Sequence, residues 1–507
     1  MTNIKKYLLL FYTLQLNFSC NSQPPVVSVS INTHQTKTLS KNYFLGFNTQ
    51  LLHGPSMNDT AFVTAIKGLH PSILRYPGGT VANQWDWKTG WTTAAEFKNL
   101  PVIPYRLEDF KKAIDVTGAM SIFVLNMCTS TLDNQVAMLK HAQEIGLPVK
   151  LIELGNEFYM PLGLYVKTFP AGSDYAHEAN RWTERLKREF PEAEIAVVGK
   201  SEKKEGLRNK LRGKDSDERS ENWNSELFKS IKNADAVTFH IYGGNGLDYI
   251  HTGKQKIKHQ KRSDYADEER KIFQDAFESS DASKIILGMP FHRVKQFIEN
   301  DTRNVPKGMK IWITECNMFE KTGIVSGSWL HGLYAATLCL LLAESGKTDI
   351  VLYHTLAKDA TFAAIFNNTK GFEFNYKKPL TTKNSYSASG YALSLLMEAA
   401  KNKKKISPLI FDQQFGVTTN AESYNSLFGY SFSDDVRKNY FIINLSPKTI
   451  PLNSKNLNLK NASFVQISCD PLKQITSKND FILKEGFITN EKIELEPFSV
   501  LEIRSEN

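Results

Sequence analysis

Short apolar runs recur along most of the chain and are separated by helical stretches. In chain order, these runs are 44–47, 72–76, 121–127, 149–154, 194–198, 236–242, 310–314 and 349–354. Runs that are apolar throughout, without alternation, are typical of parallel strands covered by helices on both faces. Eight such strand–helix units over about 350 residues predict a (β/α)8 barrel with insertions.

The regions outside this pattern have a different character. Residues 26–40 are β-rich, and from about residue 403 many short strands are punctuated by turn residues. We therefore predict an α/β barrel over 41–402 and an antiparallel β-sandwich over 403–507, and we expect one or more strands in 26–40 to be part of that sandwich. A further apolar run at 284–289 would make a ninth strand, so we assign it to the connection between strands 6 and 7.

The N-terminus has the layout of a secretory signal. Lys5 and Lys6 precede an apolar run, 7–16, and the pair Ser19-Cys20 follows it. A charged region before a short apolar region predicts export, with residues 1–20 as the signal peptide. The Ser-Cys pair resembles a bacterial lipoprotein processing site. The protein is thus expected to be periplasmic, at the cell surface or secreted, with a lipid on Cys20 as its only membrane attachment; a plain signal peptide is the alternative.

Positive charge is concentrated in a few runs. The formal net charge is +9, and much of the excess lies in 200–214, 254–262 and 401–405. Such runs could attract a polyanion, but solvated surface loops are the favoured interpretation. No nucleic-acid-binding motif accompanies them, so a nucleic-acid partner is not expected.

The five cysteines do not form a disulfide framework in a chain of this length. Cys128, Cys316 and Cys339 lie in apolar contexts, which predicts buried free thiols. No spacing suggests zinc, and neither a metal nor an organic cofactor is implied.

Two glutamates follow predicted strands directly. Glu157 comes after the fourth apolar run, and Glu315 comes after the seventh. Catalytic groups of a (β/α)8 barrel sit at the C-terminal ends of its strands, so these side chains should converge on one pocket. Retaining hydrolysis of a glycosidic bond needs two carboxyl groups about 5–5.5 Å apart, one protonated acid and one ionised nucleophile. A lone glutamate could belong to a structural ion pair, but two in this placement favour glycoside hydrolysis.

The segments around both glutamates resemble the (β/α)8 clan of retaining glycoside hydrolases, clan A. Residues 154–157 (Leu-Gly-Asn-Glu) match the Asn-Glu pair that ends strand 4 in that clan, and 313–315 match its lone strand-7 glutamate. The resemblance implies that Glu157 is the acid/base, Glu315 the nucleophile and Asn156 the donor to the sugar 2-hydroxyl. That contact strengthens in an oxocarbenium-like transition state.

Further motifs resemble family 51 α-L-arabinofuranosidases and related heparanase-like glucuronidases. They are Leu74-Arg75-Tyr76-Pro77-Gly78-Gly79, Trp85-Asp86-Trp87, His240-Ile241-Tyr242 and 495–501. By this resemblance Arg75 and Tyr242 bond Glu315 and hold it ionised, because a neighbouring cation favours the charged form. His240 is then expected near the nucleophile, and Glu157 is expected to stay protonated. A structural ion pair for Arg75 and simple packing for Tyr242 are the alternatives.

Several other side chains are weaker candidates for binding substrate. Trp85 and Trp87 follow strand 2 and could stack on sugar rings, whereas Trp329 begins an apolar helix and is expected in the core. Asn48 and His53 follow strand 1 and Asn126 follows strand 3. Each of these three could equally satisfy local backbone groups.

The segment after the nucleophile, Cys316-Asn317-Met318-Phe319, departs from the more acidic and aromatic segment of the arabinofuranosidases. The clan is therefore better supported than the substrate. The sequence predicts a retaining glycoside hydrolase of plant or algal polysaccharides or their oligosaccharides, similar to α-L-arabinofuranosidases. A uronidase or a sulfated-galactan hydrolase is the alternative, because the basic runs suit an anionic carbohydrate. A catalytically inactive surface glycan-binding lipoprotein is the competing class.

Overall fold

The computed structural model describes residues 26–39, 44–50, 52, 54–95, 102–201, 218–244, 246, 281–318, 325–358, 363–366 and 384–505. Within these residues eight parallel strands close into a barrel, and a second, β-rich domain contains mostly antiparallel pairs. The predicted fold class, a (β/α)8 barrel with an accessory β domain, is confirmed.

The barrel strands follow one another in chain order. They are Leu45–Asn48, Ile73–Tyr76, Met120–Val124, Leu151–Glu153, Glu194–Val198, Ala236–Gly243, Lys310–Met318 and Ile350–Tyr353. Each pairs in parallel with the next, and the eighth pairs with the first. These elements, barrel strands 1 to 8 below, coincide with the eight predicted apolar runs to within a few residues.

Helices lie between the strands and cover the barrel. Those described are Thr60–Gly68, Leu107–Thr117, Leu132–Glu144, Gly163–Thr168, Gly172–Glu189, Glu218–Ser230, Ala282–Gln296, Trp329–Glu344 and Ala388–Ala400. The apolar run 284–289 is part of the helix Ala282–Gln296, which connects strands 6 and 7 as expected. The helix Trp329–Glu344 is buried around nearly its whole circumference, which explains its almost uniformly apolar sequence.

Apolar side chains fill one end of the barrel interior. Strands 2 to 8 supply a separate core cluster of Ile73, Ile122, Leu151, Ala196, Ala236, Trp312, Ile350 and Leu352. Alternate residues of a strand point to the same face, so Arg75 follows Ile73 into the interior and Glu153 follows Leu151. The two charged side chains therefore occupy the next layer towards the C-terminal ends of the strands.

The second domain is built on one ten-stranded sheet. Its strands are Val27–Ile31, Lys37–Thr38, Lys405–Phe411, Leu427–Ser433, Lys438–Asn444, Ile450–Asn453, Ser463–Ser468, Ile482–Phe487, Lys492–Leu495 and Ser499–Arg504. Val27–Ile31 pairs antiparallel with Lys405–Phe411 and in parallel with Ile450–Asn453. The N-terminal strand thus completes the sheet formed by the C-terminal part of the chain.

In the described part of the chain, three two-stranded ladders lie outside these sheets. They pair Trp85–Asp86 with Trp91–Thr92, Ala357–Lys358 with Ile365–Phe366, and Gly416–Thr418 with Ser423–Asn425. The first belongs to the connection after barrel strand 2 and the second to the connection after barrel strand 8.

A buried hydrogen bond joins the two domains. Trp329 is fully buried, as expected, and its Nε1 donates to the carbonyl of Phe498 at 2.6 Å. Within the basic run 401–405, Lys403 pairs with Asp434 at 2.8 Å and is itself buried. At least this part of the positive charge is structural, whereas 202–214 and 254–262 lie outside the described residues.

No helix in the described part of the chain is long and apolar enough to cross a membrane. The predicted signal segment and Cys20 lie outside the described residues.

The close approach of barrel strands 1 and 2 at Gly46 gives a test of the barrel. A Cβ added there would lie 1.9 Å from the main-chain oxygen of Ile73, and neither strand can move alone inside a closed barrel. We expect Gly46→Ala to lower the free energy of unfolding by about 1–3 kcal/mol. Gly163→Ala, where an added Cβ meets nothing within 4 Å, is the control and should be neutral in urea unfolding. Equal stabilities of the two variants would contradict the pairing of barrel strands 1 and 2 at this position.

Candidate active site

The guanidinium of Arg75 links three side chains at the centre of the site. It donates from Nε to Glu153 at 2.6 Å, from Nη1 to Glu315 at 3.0 Å and from Nη2 to the Asn156 amide oxygen at 2.8 Å. Arg75 and Glu153 are both completely buried. Burial lowers the pKa of Arg75, but the charges of Glu153 and Glu315 outweigh it and raise the pKa overall. The arginine is thus a permanent cation between two carboxylates.

An irregularity in barrel strand 7 turns Glu315 towards this cation. In a regular strand, residues 313 and 315 would point outward and residue 316 inward, because side chains alternate. Instead, Ile313 and Cys316 both belong to the core outside the barrel. The pairing register shifts on both sides of this point, between Phe239 and His240 and between Ile313 and Cys316. Such a bulge re-aims a side chain, and here it brings Glu315 inside the barrel.

Donors surround the Glu315 carboxylate. Oε1 accepts hydrogen bonds from Arg75 and, at 3.0 Å, from Asn48 Nδ2, while Oε2 accepts from the Tyr242 hydroxyl at 2.6 Å. Burial raises the pKa of Glu315, but His240, His354 and Arg75 outweigh it and lower the pKa to about 2. Glu315 is therefore ionised near neutral pH, as a nucleophile must be.

Glu157 has different surroundings from Glu315. Its side chain is 18% exposed against 6% for Glu315, and its backbone has a φ of 48°. Glu157 Oε1 accepts from the Tyr159 hydroxyl at 3.0 Å and from His240 Nδ1 at 2.8 Å. Burial and the charge of Glu157 raise the pKa of Tyr159 well above its ordinary value, so the phenol remains a donor.

His240 stands between the two carboxylates. Its Nδ1 lies 2.8 Å from Glu157 Oε1 and 3.5 Å from Glu315 Oε2. Burial lowers the pKa of His240, but the charges of Glu315 and Glu157 outweigh it and raise the pKa overall. The ring thus contacts both carboxyl groups.

The carboxylate oxygens of Glu157 and Glu315 and a ring nitrogen of His240 all lie within 4.8 Å of one another. Three such ligands could bind a divalent cation. Because Arg75 and Tyr242 already supply positive charge and donors to Glu315, we assign the cluster to proton and nucleophile chemistry. The spacing suits two carboxyl groups that act on opposite sides of one anomeric carbon with retention.

Asn156 is held at both its backbone and its side chain. Asn83, in the short 3-10 helix Thr80–Gln84, donates from Nδ2 to the Asn156 carbonyl at 2.6 Å and accepts from the Asn156 backbone N–H at 3.0 Å. Arg75 fixes the Asn156 amide oxygen. Among the described residues, Asn156 Nδ2 is buried and has no hydrogen-bond partner. This donor is therefore available for an acceptor on a ligand.

Asn48 and His354 complete the cluster from barrel strands 1 and 8. Asn48 Nδ2 lies 2.7 Å from His354 Nδ1 as well as 3.0 Å from Glu315 Oε1. Asn48 thus contacts Glu315 and is not merely a partner of local backbone. Gly78, with a φ of 92°, leaves room for it, since a Cβ there would lie 2.3 Å from Asn48 Oδ1.

Three predicted substrate-binding residues instead have structural contacts. Trp85 is only 4% exposed and donates from Nε1 to the Tyr76 hydroxyl, which leaves almost no ring face for a sugar. Trp87 contacts two residues of the helix Leu132–Glu144, donating to Asn134 and lying against His141. Burial argues against the stacking role of Trp85, whereas Trp87 is partly exposed and its stacking role stays a prediction.

Asn126 also has a structural role in place of a ligand-binding one. Its Nδ2 donates to the Trp85 carbonyl and to Thr129, and its Oδ1 accepts from two backbone N–H groups of the same loop. It satisfies local backbone groups, which was the alternative to substrate contact. His53 lies outside the described residues.

Four functional candidates escaped sequence reasoning: Glu153, Asn83, Tyr159 and His354. His354 follows barrel strand 8 and Glu153 is a charge inside an apolar strand, so both carried a usable signal. Asn83 and Tyr159 lie in loops, where only the folded chain shows what a side chain can reach.

Among the described cysteines, all thiols are free. Cys316 and Cys339 are buried as predicted, with their sulfur atoms 3.6 Å apart. Cys128 is only partly buried, which corrects the expectation that it lies fully in the core.

Known proteins resemble part of this chain in sequence and nearly all of it in fold. No protein-family model matches the chain. The chain is 26% identical over 211 residues to α-L-arabinofuranosidase C of Emericella nidulans, and the match covers 34% of this chain and 41% of that protein. The match thus spans less than half the length of the relative.

Solved structures extend the likeness to nearly the whole chain. An α-L-arabinofuranosidase from Thermotoga maritima, in complex with arabinose, matches with a TM-score of 0.61, 16% identity and coverage of 94% of this chain and 99% of that one. A 4-O-α-L-rhamnosyl-β-D-glucuronidase from Fusarium oxysporum matches with a TM-score of 0.57, 12% identity and coverage of 94% and 100%. The resemblance inferred from the motifs is confirmed at the level of the fold, which the chain shares with these glycoside hydrolases.

The buried contacts of Arg75 generate a prediction about stability. Arg75→Met keeps an unbranched side chain but leaves Glu153 and Glu315 buried without their cation. We expect the free energy of unfolding near pH 7 to fall by about 3–5 kcal/mol, the usual cost of breaking a buried ion pair. The folded pKa of Glu315 lies below its ordinary value of 4.5, so this stabilisation is present above 4.5 and is lost as the pH falls towards 2.

Urea unfolding at neutral and acidic pH measures this penalty. The control is Arg181→Met, which removes an exposed pair with Glu178 and should cost less than about 1 kcal/mol. The Arg75 penalty should shrink as the pH falls below 4.5. A penalty equal to that of the control, or one that grows towards acidic pH, would contradict the account.

Proposed function

We propose that this protein is a glycoside hydrolase that retains anomeric configuration, with Glu315 as nucleophile and Glu157 as acid/base. The supporting observation is the approach of the two carboxylates to within 4.8 Å in unlike surroundings. One lies among cations and donors, and the other is more exposed, beside a phenol and an imidazole. Pairs of carboxyl groups whose environments differ in this way divide the acid and base roles between them.

In the first step of the proposed reaction, Glu315 attacks the anomeric carbon and the glycosidic bond breaks. Glu157 gives its proton to the leaving oxygen, so the leaving group departs as an alcohol. Tyr159 and His240 both donate to Glu157 Oε1. The acidic proton is therefore carried on Oε2, the other oxygen of that carboxyl group.

In the second step, Glu157 removes a proton from water, which attacks the anomeric carbon and releases Glu315. The sugar leaves with its original configuration after two inversions. Asn156 Nδ2 is a buried donor without a described partner, and we assign it to the sugar 2-hydroxyl. This hydrogen bond strengthens in the transition state, when positive charge develops on the neighbouring anomeric carbon.

The proposed substrate is a plant or algal polysaccharide or an oligosaccharide derived from it, with an α-L-arabinofuranoside first. This choice is supported by the local sequence match to α-L-arabinofuranosidase C and by the likeness to the arabinose-bound Thermotoga maritima structure. The alternative is an anionic sugar of the uronic or sulfated type. The likeness to the Fusarium oxysporum glucuronidase supports it, as do the basic runs of the sequence.

We further propose that the protein is exported and acts in the periplasm, at the cell surface or outside the cell, with a lipid anchor at Cys20 as one form. Support comes from the N-terminal pattern of Lys5, Lys6, an apolar run and Ser19-Cys20.

A glycan-binding protein without catalysis is the competing class. Such a protein needs neither an ionised Glu315 nor a second carboxyl group beside it. The two donors on Glu157 and the three on Glu315 are difficult to explain by binding alone.

Replacing the nucleophile provides a direct test of its role. Glu315→Gly should lower the turnover of an aryl glycoside substrate by about 10⁴-fold or more. Added azide should restore part of the rate, because the small anion fits the vacated space and forms a glycosyl azide of inverted configuration. The exposed Glu192→Gly variant is the control and should keep normal turnover without responding to azide. Normal turnover of Glu315→Gly would refute the assignment.

A substrate panel distinguishes the candidate sugars. We expect hydrolysis of an aryl α-L-arabinofuranoside to exceed that of an aryl β-glucuronide and of sulfated galactan oligosaccharides, measured as initial rates under identical conditions. The reverse order would select the anionic alternative. Activity on none of the three would reject all the substrate proposals together.

A further inference from the structure

A chain of buried hydrogen bonds runs behind Glu315, from the helix Trp329–Glu344 to the end of barrel strand 8. His331, which is fully buried, places Nε2 2.9 Å from Asn317 Oδ1. Asn317 Nδ2 donates to the main-chain oxygen of His354 at 2.6 Å. The His354 imidazole in turn lies 3.7 Å from Glu315 Oε2. A helix-to-strand contact and a contact between barrel strand 7 and the end of strand 8 thus lead to the carboxylate.

The donors and acceptors of this chain are determined by their neighbours. The Met318 N–H donates to Asn317 Oδ1 at 2.6 Å, so that atom must be the oxygen and Nδ2 must face His354. The Gly327 N–H approaches His331 Nδ1 at 3.4 Å, so Nδ1 is an acceptor. The single proton of a neutral His331 therefore sits on Nε2 and is donated to Asn317.

Burial keeps this arrangement in one protonation state. Ser389 Oγ, on the helix Ala388–Ala400, lies 3.3 Å from His331 Nδ1 and is a second donor to it. Burial lowers the pKa of His331 to about 3, so the ring is neutral near neutral pH, where Glu315 is ionised. Tyr353, the neighbouring buried phenol, has its pKa raised by burial and stays uncharged.

We propose that Asn317 and His331 are positioning residues, which hold the His354 main chain so that its imidazole stays beside Glu315. This role rests on the proposed function, because it requires Glu315 to be a nucleophile. The hydrogen bonds themselves do not depend on that function. Asn317 belongs to the segment in which this sequence departs from the arabinofuranosidases.

His354 is one of several groups that influence ionisation of the nucleophile. The groups facing Glu315 are Asn48, Arg75, Glu157, His240, Tyr242 and His354. His240, His354 and Arg75 act against burial and lower the pKa of Glu315. If the His354 imidazole is released, one of these three contributions weakens and the pKa of Glu315 rises.

The test compares four variants with the wild-type chain. Asn317→Ala and His331→Leu, the breaking variants, interrupt the series of hydrogen bonds. His331→Gln keeps an N–H donor for Asn317 and serves as the rescue variant. Thr337→Val, a fully buried polar residue on the same helix as His331, is the control. We expect the two breaking variants to lower kcat by about tenfold or more with KM changed far less. Rescue should recover most of kcat, and the control should leave it unchanged.

The pH profile is the readout that a purely structural role would not move. In the breaking variants the acidic limb of kcat/KM should shift to higher pH, because a carboxylate whose pKa has risen takes up its proton at a higher pH. The midpoint temperature of thermal unfolding should fall by similar amounts for Asn317→Ala and Thr337→Val. An unshifted acidic limb in Asn317→Ala with normal kcat would overturn the proposal.

An NMR measurement separates failure of this proposal from failure of the proposed function. Selective ¹⁵N-histidine labelling should show His331 as the neutral Nε2–H tautomer, and the His354 signals should change in Asn317→Ala but not in Thr337→Val. These changes in a chain that hydrolyses no glycoside would support the positioning and reject the function. Normal hydrolysis with unchanged His354 signals in Asn317→Ala would reject the positioning alone.

Discussion

The buried guanidinium of Arg75 is the group on which the rest of the site depends. It lies one layer above the apolar end of the barrel and donates to Glu153, Glu315 and Asn156. Two ionised carboxylates could not be buried at this depth without a cation, since desolvation of a charge costs several kcal/mol. One arginine thus compensates the charge of both glutamates and orients the amide beside the proposed acid.

Glu157 and Glu315 have the same side chain, but their positions in the barrel give them different surroundings. A bulge in barrel strand 7 turns Glu315 inward to meet Arg75, Tyr242 and Asn48, which favour its ionised form. Glu157 lies in a loop conformation with positive φ, nearer the solvent, with both its described donors on one oxygen. The fold therefore supplies different environments from the ends of two strands, and the proposed acid and nucleophile roles follow from that difference.

Much of this could be predicted from the sequence, and the reasons for the remainder are physical. Apolar runs identify the barrel strands because each strand is buried on both faces. Glu157 and Glu315 follow two of those runs directly. The bulge at Glu315 leaves no pattern, since it depends on register with neighbouring strands. The burial of Trp85 was not foreseen, because proximity in sequence to a strand end does not give the direction of a side chain. Tyr159 and Asn83 depend on loop geometry that only the folded chain defines.

The configuration of the first-formed sugar is the most direct test of the central claim, that the two carboxylates act by double displacement. Proton NMR during hydrolysis of an aryl glycoside would follow the anomeric signal before mutarotation mixes the products. Two carboxylates within 4.8 Å predict that the product first appears with the anomeric configuration of the substrate. A first product of opposite configuration would require a water molecule between substrate and base, and would contradict the role assigned to Glu315.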